Sequence, residues 1–389
     1  MNLLTPIFRI LVGGLFIISG FIKANDPLGF SYKLQEYFEV FGQYPVIRVF
    51  DHPFFAGAAL ELSIFICLLE IVLGLGLLIG AMPRLTATVT LLLIIFFTFL
   101  TGFSAVTGKV TDCGCFGDAV KLTPWESFYK DIVLLLFTGV IFARRNKIGP
   151  LFSARITKYI MAAGTAAILG FTLFCYHHLP MIDFRPYKTG NDICVLMELP
   201  EGAQAPVYET VLTCRDKSTG AISKHSMKEY MARPELWNDT VYECSSESRL
   251  ISEGDKARID NFRLEDEYGI DVTHDVLDEP GVKFFIIAYD IGQAARKHFG
   301  KIRELSSWAE SAGVKFYGLS ASADQEVEIF RHDVQAEFPF LTADAIELKT
   351  IIRSNPGIVM MKDCRIVGKW HWRDVPGVEE VRRIIGRSS

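Results

Sequence analysis

The hydrophobic residues of this chain are concentrated in its first 180 residues, where five long apolar runs follow one another. The runs cover residues 3–22, 54–82, 85–106, 128–143 and 159–176. An α-helix rises ~1.5 Å per residue and needs roughly 20 apolar residues to cross the hydrocarbon core of a bilayer. The pattern therefore predicts an integral membrane protein with five transmembrane helices in a lipid bilayer, rather than a soluble protein with buried core helices.

Polar and charged residues dominate the chain after residue 180, which is typical of a soluble domain. A chain of 389 residues is also too long for a single core of ordinary size. We predict a multidomain protein in which a transmembrane α-helical bundle is followed by an α/β domain. The predicted parts are a four-helix transmembrane domain at 1–145, a basic loop with a fifth transmembrane helix at 146–180, a polar β-rich connector at 181–255 and the α/β domain at 256–389.

Charged residues between the apolar runs predict the orientation in the membrane. The loop between the fourth and fifth runs carries basic residues and no acidic one: Arg144, Arg145, Lys147, Arg155 and Lys158. Positively charged short loops stay in the cytoplasm, so we expect the N-terminus inside and the C-terminal domain outside. In a bacterium, this means the inner membrane with the C-terminal domain in the periplasm. The net charge of −5, without a basic stripe, gives no support for nucleic-acid binding.

The most informative motif is Asp112-Cys-Gly-Cys-Phe-Gly-Asp118, on the predicted outer side. Gly114 permits the tight bend that brings the sulfurs of Cys113 and Cys115 together, and Gly117 extends the turn. A disulfide that closes so small a ring is expected to be strained and readily exchanged. We therefore predict Cys113 and Cys115 as a catalytic redox pair. The other members of the motif are candidate supporting residues: Asp112, Gly114, Phe116, Gly117 and Asp118.

Two other interpretations of the cysteine motif stay open. One is a permanent structural disulfide. The other is a zinc or copper site, because His52, His177 and His178 are expected on the same side as the cysteines, although the spacing matches no standard ligand pattern.

Four further cysteines fall on the predicted outer side of the membrane. In the connector, Cys214 and Cys244 are a candidate disulfide from their location alone. The pairing of Cys194 and Cys364 stays open.

Ionisable residues also occur inside the predicted membrane helices, where they are costly and mark a site or a pairing. Glu61 and Glu70 are nine residues apart and are expected on opposite sides of the second helix, whereas Cys67 and Glu70 share a face. Arg9 in the first helix could pair with Glu70. A buried ion pair that fixes the helix register is the favoured interpretation, and a proton path or quinone-contact site beside Cys67 is the alternative.

Residues 1–145 resemble the DoxX/MauE group of membrane proteins, the latter named for methylamine utilisation. The resemblance is carried by Ser19-Gly-Phe-Ile-Lys-Ala-Asn-Asp-Pro27 after the first helix, by Glu61 and Glu70, and by the cysteine motif. It implies a four-helix bundle linked to periplasmic thiol–disulfide chemistry, either disulfide formation or electron delivery. Lys23 and Asp26, at the outer end of the first helix, are candidates for tuning the two motif cysteines.

The last third of the chain follows the order strand, helix, strand, helix, hairpin and helix, which is the thioredoxin order. Asn355-Pro356 stands just before a strand and resembles the cis-proline position of that fold. Where thioredoxins carry Cys-x-x-Cys, residues 290–295 read Asp-Ile-Gly-Gln-Ala-Ala. The similarity therefore implies a degenerate thioredoxin-like domain, marked by Pro356, that docks a partner instead of exchanging dithiols.

These patterns predict a membrane thiol–disulfide redox protein. Cys113 and Cys115 are expected to relay electrons between a periplasmic protein partner and an acceptor in the membrane, with quinone as the candidate cofactor. A scaffold without enzymatic activity, or a metal-binding protein with a structural Cys-Gly-Cys loop, is the alternative. A transporter has no support, because neither an internal repeat nor a pair of broken helices is evident.

Overall fold

The computed structural model of the chain describes residues 4–45, 49–50, 52–110, 114–204, 207–238, 240–252 and 254–387. The chain folds into two compact units. The larger unit comprises Met1–Asn191 together with Arg263–Ser389, and the smaller unit is Asp192–Phe262. The larger unit therefore contains both the apolar helices and the C-terminal α/β region.

The N-terminal part of the larger unit is helical. Its helices are α1 (Leu4–Asn25), α2 (Pro27–Gly42), α3 (Pro53–Gly57), α4 (Ala59–Ile79), α5 (Pro83–Thr107), α6 (Pro124–Ala143) and α7 (Ala154–His177). Helix α1 packs along α4, α5 packs along α6, and α7 packs against α4. Buried side chains of α1, α4, α5 and α6 form one apolar core, which includes Val12, Phe16, Leu73, Ile94 and Leu134.

Among the described residues, four helices are long and apolar enough to cross a membrane: α1, α4, α5 and α7. The fourth predicted run forms α6, which is 20 residues long but carries Glu126, Lys130 and Asp131 near its N-terminal end. A transmembrane position of α6 therefore stays a prediction. The helical bundle itself is confirmed.

Small residues let α1 and α4 approach each other closely. A Cβ atom on Gly74 would lie 2.6 Å from the carbonyl oxygen of Gly13, and one on Gly20 would lie 2.6 Å from Ile71 Cγ1. Close backbone approach at glycine is a common way for helices to pack in a membrane. As a result, the C-terminal half of α1 lies directly against the middle of α4.

Helix α2 is absent from the sequence prediction, which treats the segment from residue 23 to residue 53 as a loop. Asp26 is its N-cap and accepts a hydrogen bond from Gly29 N–H, while Pro27 occupies the first turn. Its buried side chains, including Phe30 and Phe38, pack into an aromatic cluster with Phe50, Phe55 and Phe97. The helix is short and mixes aromatic with charged residues, so it shows no apolar run.

The smaller unit is built on an antiparallel sheet. In the described residues, its strands β1 (Val207–Asp216), β2 (Ile222–Ser226) and β3 (Tyr242–Ser252) lie in the order β2-β1-β3. The short helices α8 (Ile193–Met197) and α9 (Met227–Met231) accompany them. Cys214 lies directly opposite Cys244 on the neighbouring strand, and a disulfide joins the two residues. The predicted Cys214–Cys244 bridge is therefore confirmed.

The C-terminal α/β region contains a mixed sheet. Its described strands are β4 (Val282–Ile287), β5 (Lys315–Ser320), β6 (Phe340–Thr342), β7 (Gly357–Lys362) and β8 (Arg365–His371). Their order is β6-β5-β4-β7-β8; β4, β5 and β6 are parallel, and β7 and β8 are antiparallel to their neighbours. The helices are α10 (Thr273–Leu277), α11 (Phe299–Ser311), α12 (Asp324–Val334), α13 (Ala345–Ile351) and α14 (Val378–Arg387). This is the predicted thioredoxin-like order with one addition, the short parallel strand β6, which the sequence pattern did not predict.

The sheet of the α/β region is buried by helices that pack on it. Phe284 and Ile286 of the central strand β4 are fully buried, with Ile302 of α11 and Phe330 of α12 in the same core. The peptide bond between Asn355 and Pro356 is cis, as expected for this position in the fold.

Candidate functional site

The candidate site lies around the described part of the cysteine motif, residues 114–118, which we call the cysteine loop. Cys113 and Asp112 lie outside the described residues. Gly114 and Gly117 have φ angles of +66° and +47°, in the left-handed region that favours glycine. The turn predicted from these two glycines is therefore confirmed.

Cys115 is tied to the membrane helices through Ser19. The Ser19 hydroxyl lies 2.9 Å from the backbone carbonyl oxygen of Cys115 and 2.9 Å from Glu70 Oε2, so it donates to one of these oxygens at a time. Lys23 Nζ donates to Glu70 Oε1 at 2.5 Å and to Ser19 Oγ at 3.1 Å. Ser19, Lys23 and Glu70, which we call the buried triad, thus form a single hydrogen-bonded cluster with the cysteine loop.

The buried triad is shielded from water. The side chains of Lys23 and Glu70 are each 2% exposed. Lys23 Nζ lies 5.0 Å from the ring centroid of Phe30 and 4.9 Å from that of Phe97, within the range of cation–π attraction. An ion pair in such surroundings is strengthened by the low local dielectric, and each partner depends on the other for compensation. Since a serine hydroxyl both donates and accepts, Ser19 can pass a proton between the ion pair and its neighbours.

Arg9 does not pair with Glu70, which corrects the pairing considered from the sequence. Its guanidinium donates to the backbone carbonyls of Leu77 and Leu78 at 2.9 and 3.2 Å, at the C-terminal end of α4. Because α1 and α4 run antiparallel, the N-terminal part of α1 lies beside the end of α4, and Arg9 satisfies carbonyls that lack a partner within the helix. The buried ion pair exists, but its cation is Lys23.

The two acidic residues of α4 lie on opposite sides of the helix, as their spacing predicts. Glu61 is exposed in the first turn of the helix, whereas Glu70 is buried on the opposite side. Cys67 is a fully buried free thiol. Glu61 therefore lies on a different face of α4 from Glu70 of the buried triad.

Asp131 is a buried acid that the sequence analysis missed. The residue is 1% exposed; Lys130 Nζ donates to its Oδ1 at 2.7 Å, and Thr101 Oγ1 donates to its Oδ2 at 3.0 Å. Lys130 Nζ also lies 5.3 Å from the ring centroid of Phe116 in the cysteine loop. The available signal was an acidic residue inside the fourth apolar run, which by itself points to a buried partner.

Arg353 of the α/β region contacts the acidic residues on either side of the site. Its Nε donates to Asp26 Oδ1 and Oδ2 at 3.0 and 2.9 Å, and its Nη2 donates to Asp118 Oδ2 at 3.3 Å. A third donation, from Nη1, goes to the backbone carbonyl of Lys349. Asp26 and Asp118 are candidate residues from the sequence, whereas the arginine that joins them is not.

The degenerate active-site segment of the α/β region lies next to Arg353. Asn355 Nδ2 donates to the carbonyl of Asp290 at 2.7 Å, and Ala295 N–H donates to the carbonyl of Asn355 at 3.0 Å. Just before this segment, the Tyr289 hydroxyl lies 3.0 Å from the Tyr32 hydroxyl of α2. The edge of the sheet that carries the active site in thioredoxins therefore lies against the membrane region.

Arg353 stays charged and Tyr289 stays neutral in the contact between the α/β region and the membrane region. Burial alone would lower the pKa of Arg353, but the carboxylates of Asp26 and Asp118 outweigh it and raise the pKa, so the guanidinium stays charged. Burial raises the pKa of Tyr289, so its hydroxyl remains a neutral donor or acceptor toward Tyr32.

The histidines considered as metal ligands have other partners than the cysteine loop. His52 caps α3, and His178 Nδ1 lies 2.7 Å from Asp374 Oδ2. Within the part of the chain that the structure describes, neither of them, nor His177, belongs to a group of three metal-ligand side chains. Cys194 and Cys364 are each disulfide-bonded.

Residues 1–144 match the family model of methylamine utilisation protein MauE. No curated protein matches the chain. Among solved structures, a thioredoxin domain of a thiol-disulfide oxidoreductase from Bacteroides vulgatus is 13% identical, with 32% of this chain and 91% of that one covered and a TM-score of 0.26.

Two further solved structures are similar at a comparable level. A peroxidoxin from Mycobacterium tuberculosis is 11% identical over 33% of this chain and 91% of its own, with a TM-score of 0.25. A thioredoxin-like protein from Bacteroides caccae is 9% identical over 87% of this chain and 85% of its own, with a TM-score of 0.23. The strand order of the C-terminal sheet, rather than these distant similarities, carries the fold assignment. The chain therefore matches the MauE family of methylamine utilisation proteins over residues 1–144 and carries a C-terminal α/β region with the thioredoxin-like fold.

Proposed function

We propose that this protein is a membrane-bound thiol–disulfide redox protein whose working groups are Cys113 and Cys115. In the reaction, two S–H bonds break, one S–S bond forms, and two electrons and two protons leave the cysteine pair. A quinone dissolved in the membrane is the proposed acceptor, which becomes a quinol by taking up the same two electrons and two protons. The cysteine pair is returned to the dithiol state by a reduced periplasmic protein.

The observation that carries this proposal is the hydrogen bond between Ser19 and the carbonyl of Cys115. Through it, the cysteine loop is joined to Lys23 and Glu70, which are ionisable groups inside the helical bundle. Disulfide formation releases protons, and in the buried pair the Glu70 carboxylate can accept a proton and the Lys23 ammonium can donate one. The buried triad therefore suits a site where protons must pass between thiols and the membrane.

The residues around Lys23 are chemically suited to a quinone substrate. Quinone carbonyl oxygens accept hydrogen bonds, and Lys23 supplies a donor between the rings of Phe30 and Phe97. Phe97 is only partly buried, so its flat ring can offer stacking surface to a flat substrate. These three residues are the ones we assign to quinone contact.

We further propose that the protein lies in a bacterial inner membrane, with its N-terminus in the cytoplasm and its cysteine loop and C-terminal region in the periplasm. The basic residues between α6 and α7, Arg144 and Lys147 among them, support this orientation because positively charged loops remain inside. The Cys214–Cys244 disulfide is consistent with an oxidising compartment.

The proposal is tested with purified protein in lipid vesicles. The protein is reduced, freed of reductant and mixed with a short-chain ubiquinone without oxygen, and the thiols of Cys113 and Cys115 are then counted by alkylation and mass mapping. We expect reoxidation in the unsubstituted protein, none in Cys115→Ser, slower reoxidation in Glu70→Gln, and no change in the control Cys175→Ser. Equal thiol loss with and without quinone would remove the proposed acceptor.

A scaffold without redox activity is the second candidate, and the absence of cysteine from Asp290–Ala295 favours it. In that case, the α/β region serves only to bind other proteins, and the cysteine pair is permanently bridged. A bridge that no physiological thiol opens in the folded protein is the expected result for a scaffold. Ready opening by a thioredoxin would exclude it.

A further inference from the structure

The thioredoxin-like region and the membrane region meet through a buried arginine. Arg353 is 6% exposed, and its guanidinium is shared between Asp26, at the start of α2, and Asp118, three residues after Cys115 in the chain. Gly29 makes room for this approach, because a Cβ atom there would lie 2.8 Å from Arg353 Nη2. Charge-assisted hydrogen bonds of this kind are about twice as strong as neutral ones.

A second contact beside the arginine extends the junction. The hydroxyls of Tyr32 and Tyr289 lie 3.0 Å apart, and both residues are partly buried. Lys349 Nζ lies 4.9 Å from the Tyr32 ring centroid. Residues from three parts of the thioredoxin-like region, at the end of β4, on α13 and in the turn before β7, therefore meet α2 and the segment that precedes it.

The part of the sheet involved in this junction is the part that binds ligands in α/β folds. Ligands of open α/β sheets bind outside the carboxyl ends of the parallel strands. Tyr289 and Asp290 follow the carboxyl end of β4, and Arg353 and Asn355 stand in the neighbouring turn before β7. In this chain, that edge is occupied by Tyr32, Asp26 and Asp118 of the same polypeptide.

We propose that the thioredoxin-like region is a fixed wall of the redox site, and that Arg353 is a positioning residue that holds the cysteine loop through Asp118. The degenerate edge is thus bound in cis and is not the surface that receives a separate protein partner. This inference rests on the proposed redox role of Cys113 and Cys115 for its consequence, but the contact itself is independent of that role.

The positioning role of Arg353 is tested by the reactivity of Cys115 in a Cys113→Ser background, because this measurement needs no redox cycle. Alkylation by a charged, membrane-impermeant maleimide is followed in the full-length protein. We expect Arg353→Gln to speed the alkylation of Cys115 by about tenfold, because a buried charge-assisted contact is lost. The matched control is Arg296→Gln, since Arg296 is a half-exposed arginine of the same region, 3.8 Å from Asp333. Equal rates in all three proteins would overturn the proposal.

Two carboxylate variants test the same contact without changing Arg353, so that a general folding defect of Arg353→Gln can be recognised. Asp118→Asn and Asp26→Asn keep the shape of each side chain, and asparagine also serves as an N-cap, so the start of α2 is preserved. We expect each to speed alkylation of Cys115. The double variant Arg353→Gln/Asp118→Asn should be no faster than Arg353→Gln alone, because both changes remove the same contact. Fully additive effects would contradict a shared contact.

The midpoint potential of the intact cysteine pair separates this inference from the redox proposal. A positioning role predicts that Arg353→Gln shifts the potential by about 30 mV, the equivalent of a tenfold change for a two-electron couple. Faster alkylation together with an unmeasurable potential supports the fixed wall and refutes the redox role. A reversible potential together with unchanged alkylation supports the redox role and refutes the fixed wall.

Discussion

Lys23 and Glu70 form a buried ion pair between α1 and α4, with Nζ and Oε1 2.5 Å apart and both side chains 2% exposed. The pair stands beside Ser19, which joins it to the carbonyl of Cys115. We expect this contact to fix the register of the two helices and to hold an exchangeable proton next to the cysteine loop. The contribution of the pair to the free energy of unfolding can be tested separately from its role in redox chemistry.

Removing one partner of this pair should be costly. We expect Lys23→Met or Glu70→Gln to lower the free energy of unfolding by about 3–5 kcal/mol, because the remaining polar or charged group stays buried without its partner. The double variant should lose less than the sum of the two. The measurement is denaturant unfolding in detergent. Arg382→Gln, which breaks an exposed pair with Glu379, is the control and should change stability by under about 1 kcal/mol.

Glycine packing between α1 and α4 gives a second prediction. In Gly74→Ala, the new methyl group would lie 2.6 Å from the carbonyl oxygen of Gly13, so we expect a loss of about 1–3 kcal/mol from overpacking. The matched change Gly139→Ala on α6 meets no atom within 4 Å and should be neutral or stabilising by up to about 1 kcal/mol. Thermal unfolding of both variants compares them. Equal effects would mean that α1 and α4 are not in close contact.

The buried side chain of His371 predicts an acid-sensitive α/β region. Burial, together with the nearby positive charge of Arg373, lowers the pKa of His371 to about 4. The unfolded chain therefore takes up a proton near pH 6.5 while the folded protein does not, so stability is retained above pH 6.5 and lost as the pH falls toward 4. The loss should reach at most about 3 kcal/mol.

Unfolding measured between pH 7 and pH 4 checks this expectation. Protonation would also oppose the hydrogen bond in which Arg373 N–H donates to His371 Nδ1. The variant His371→Gln removes the titrating group, so its stability should decline less steeply over the same range. Parallel pH curves for the two proteins would show that His371 does not carry the effect.

The Cys214–Cys244 disulfide should be a main source of stability for the smaller unit. It links residues 30 positions apart, and opening a loop of this length costs about 3–4 kcal/mol in the unfolded-chain entropy account. We expect the double variant Cys214→Ser/Cys244→Ser to show faster amide exchange in β1 and β3. Exchange in β4 and β7 of the other unit serves as the internal reference. Unchanged protection in β1 and β3 would mean that the disulfide is dispensable.

The sequence was sufficient to predict the parts of the fold that depend on local pattern. Uninterrupted apolar runs predict α1, α4, α5 and α7, because the number of residues in each run suffices to cross a bilayer. The alternation of strands and helices predicts the thioredoxin-like order, because short connections leave few possible topologies. Helix α2 was missed, since its stability comes from aromatic packing rather than from an apolar run.

The site was only partly predictable for the same reason. Asp118 could be selected because it belongs to the cysteine motif, and Lys23 and Asp26 because they stand at the predicted outer end of the first helix. Their pairings could not be predicted, since Glu70 is 47 residues from Lys23 and Arg353 is 327 residues from Asp26. Which of several charges meet across helices depends on how α1 and α4 pack, and this is set by glycine contacts that leave no charge pattern.

The most direct test of the proposed function is the midpoint potential of the Cys113–Cys115 pair in the purified full-length protein, measured by alkylation and mass mapping across a glutathione series. We predict a reversible dithiol–disulfide transition above about −230 mV, the range of catalytic pairs. A bridge that remains closed below about −300 mV is the behaviour of a structural disulfide and would contradict the redox role.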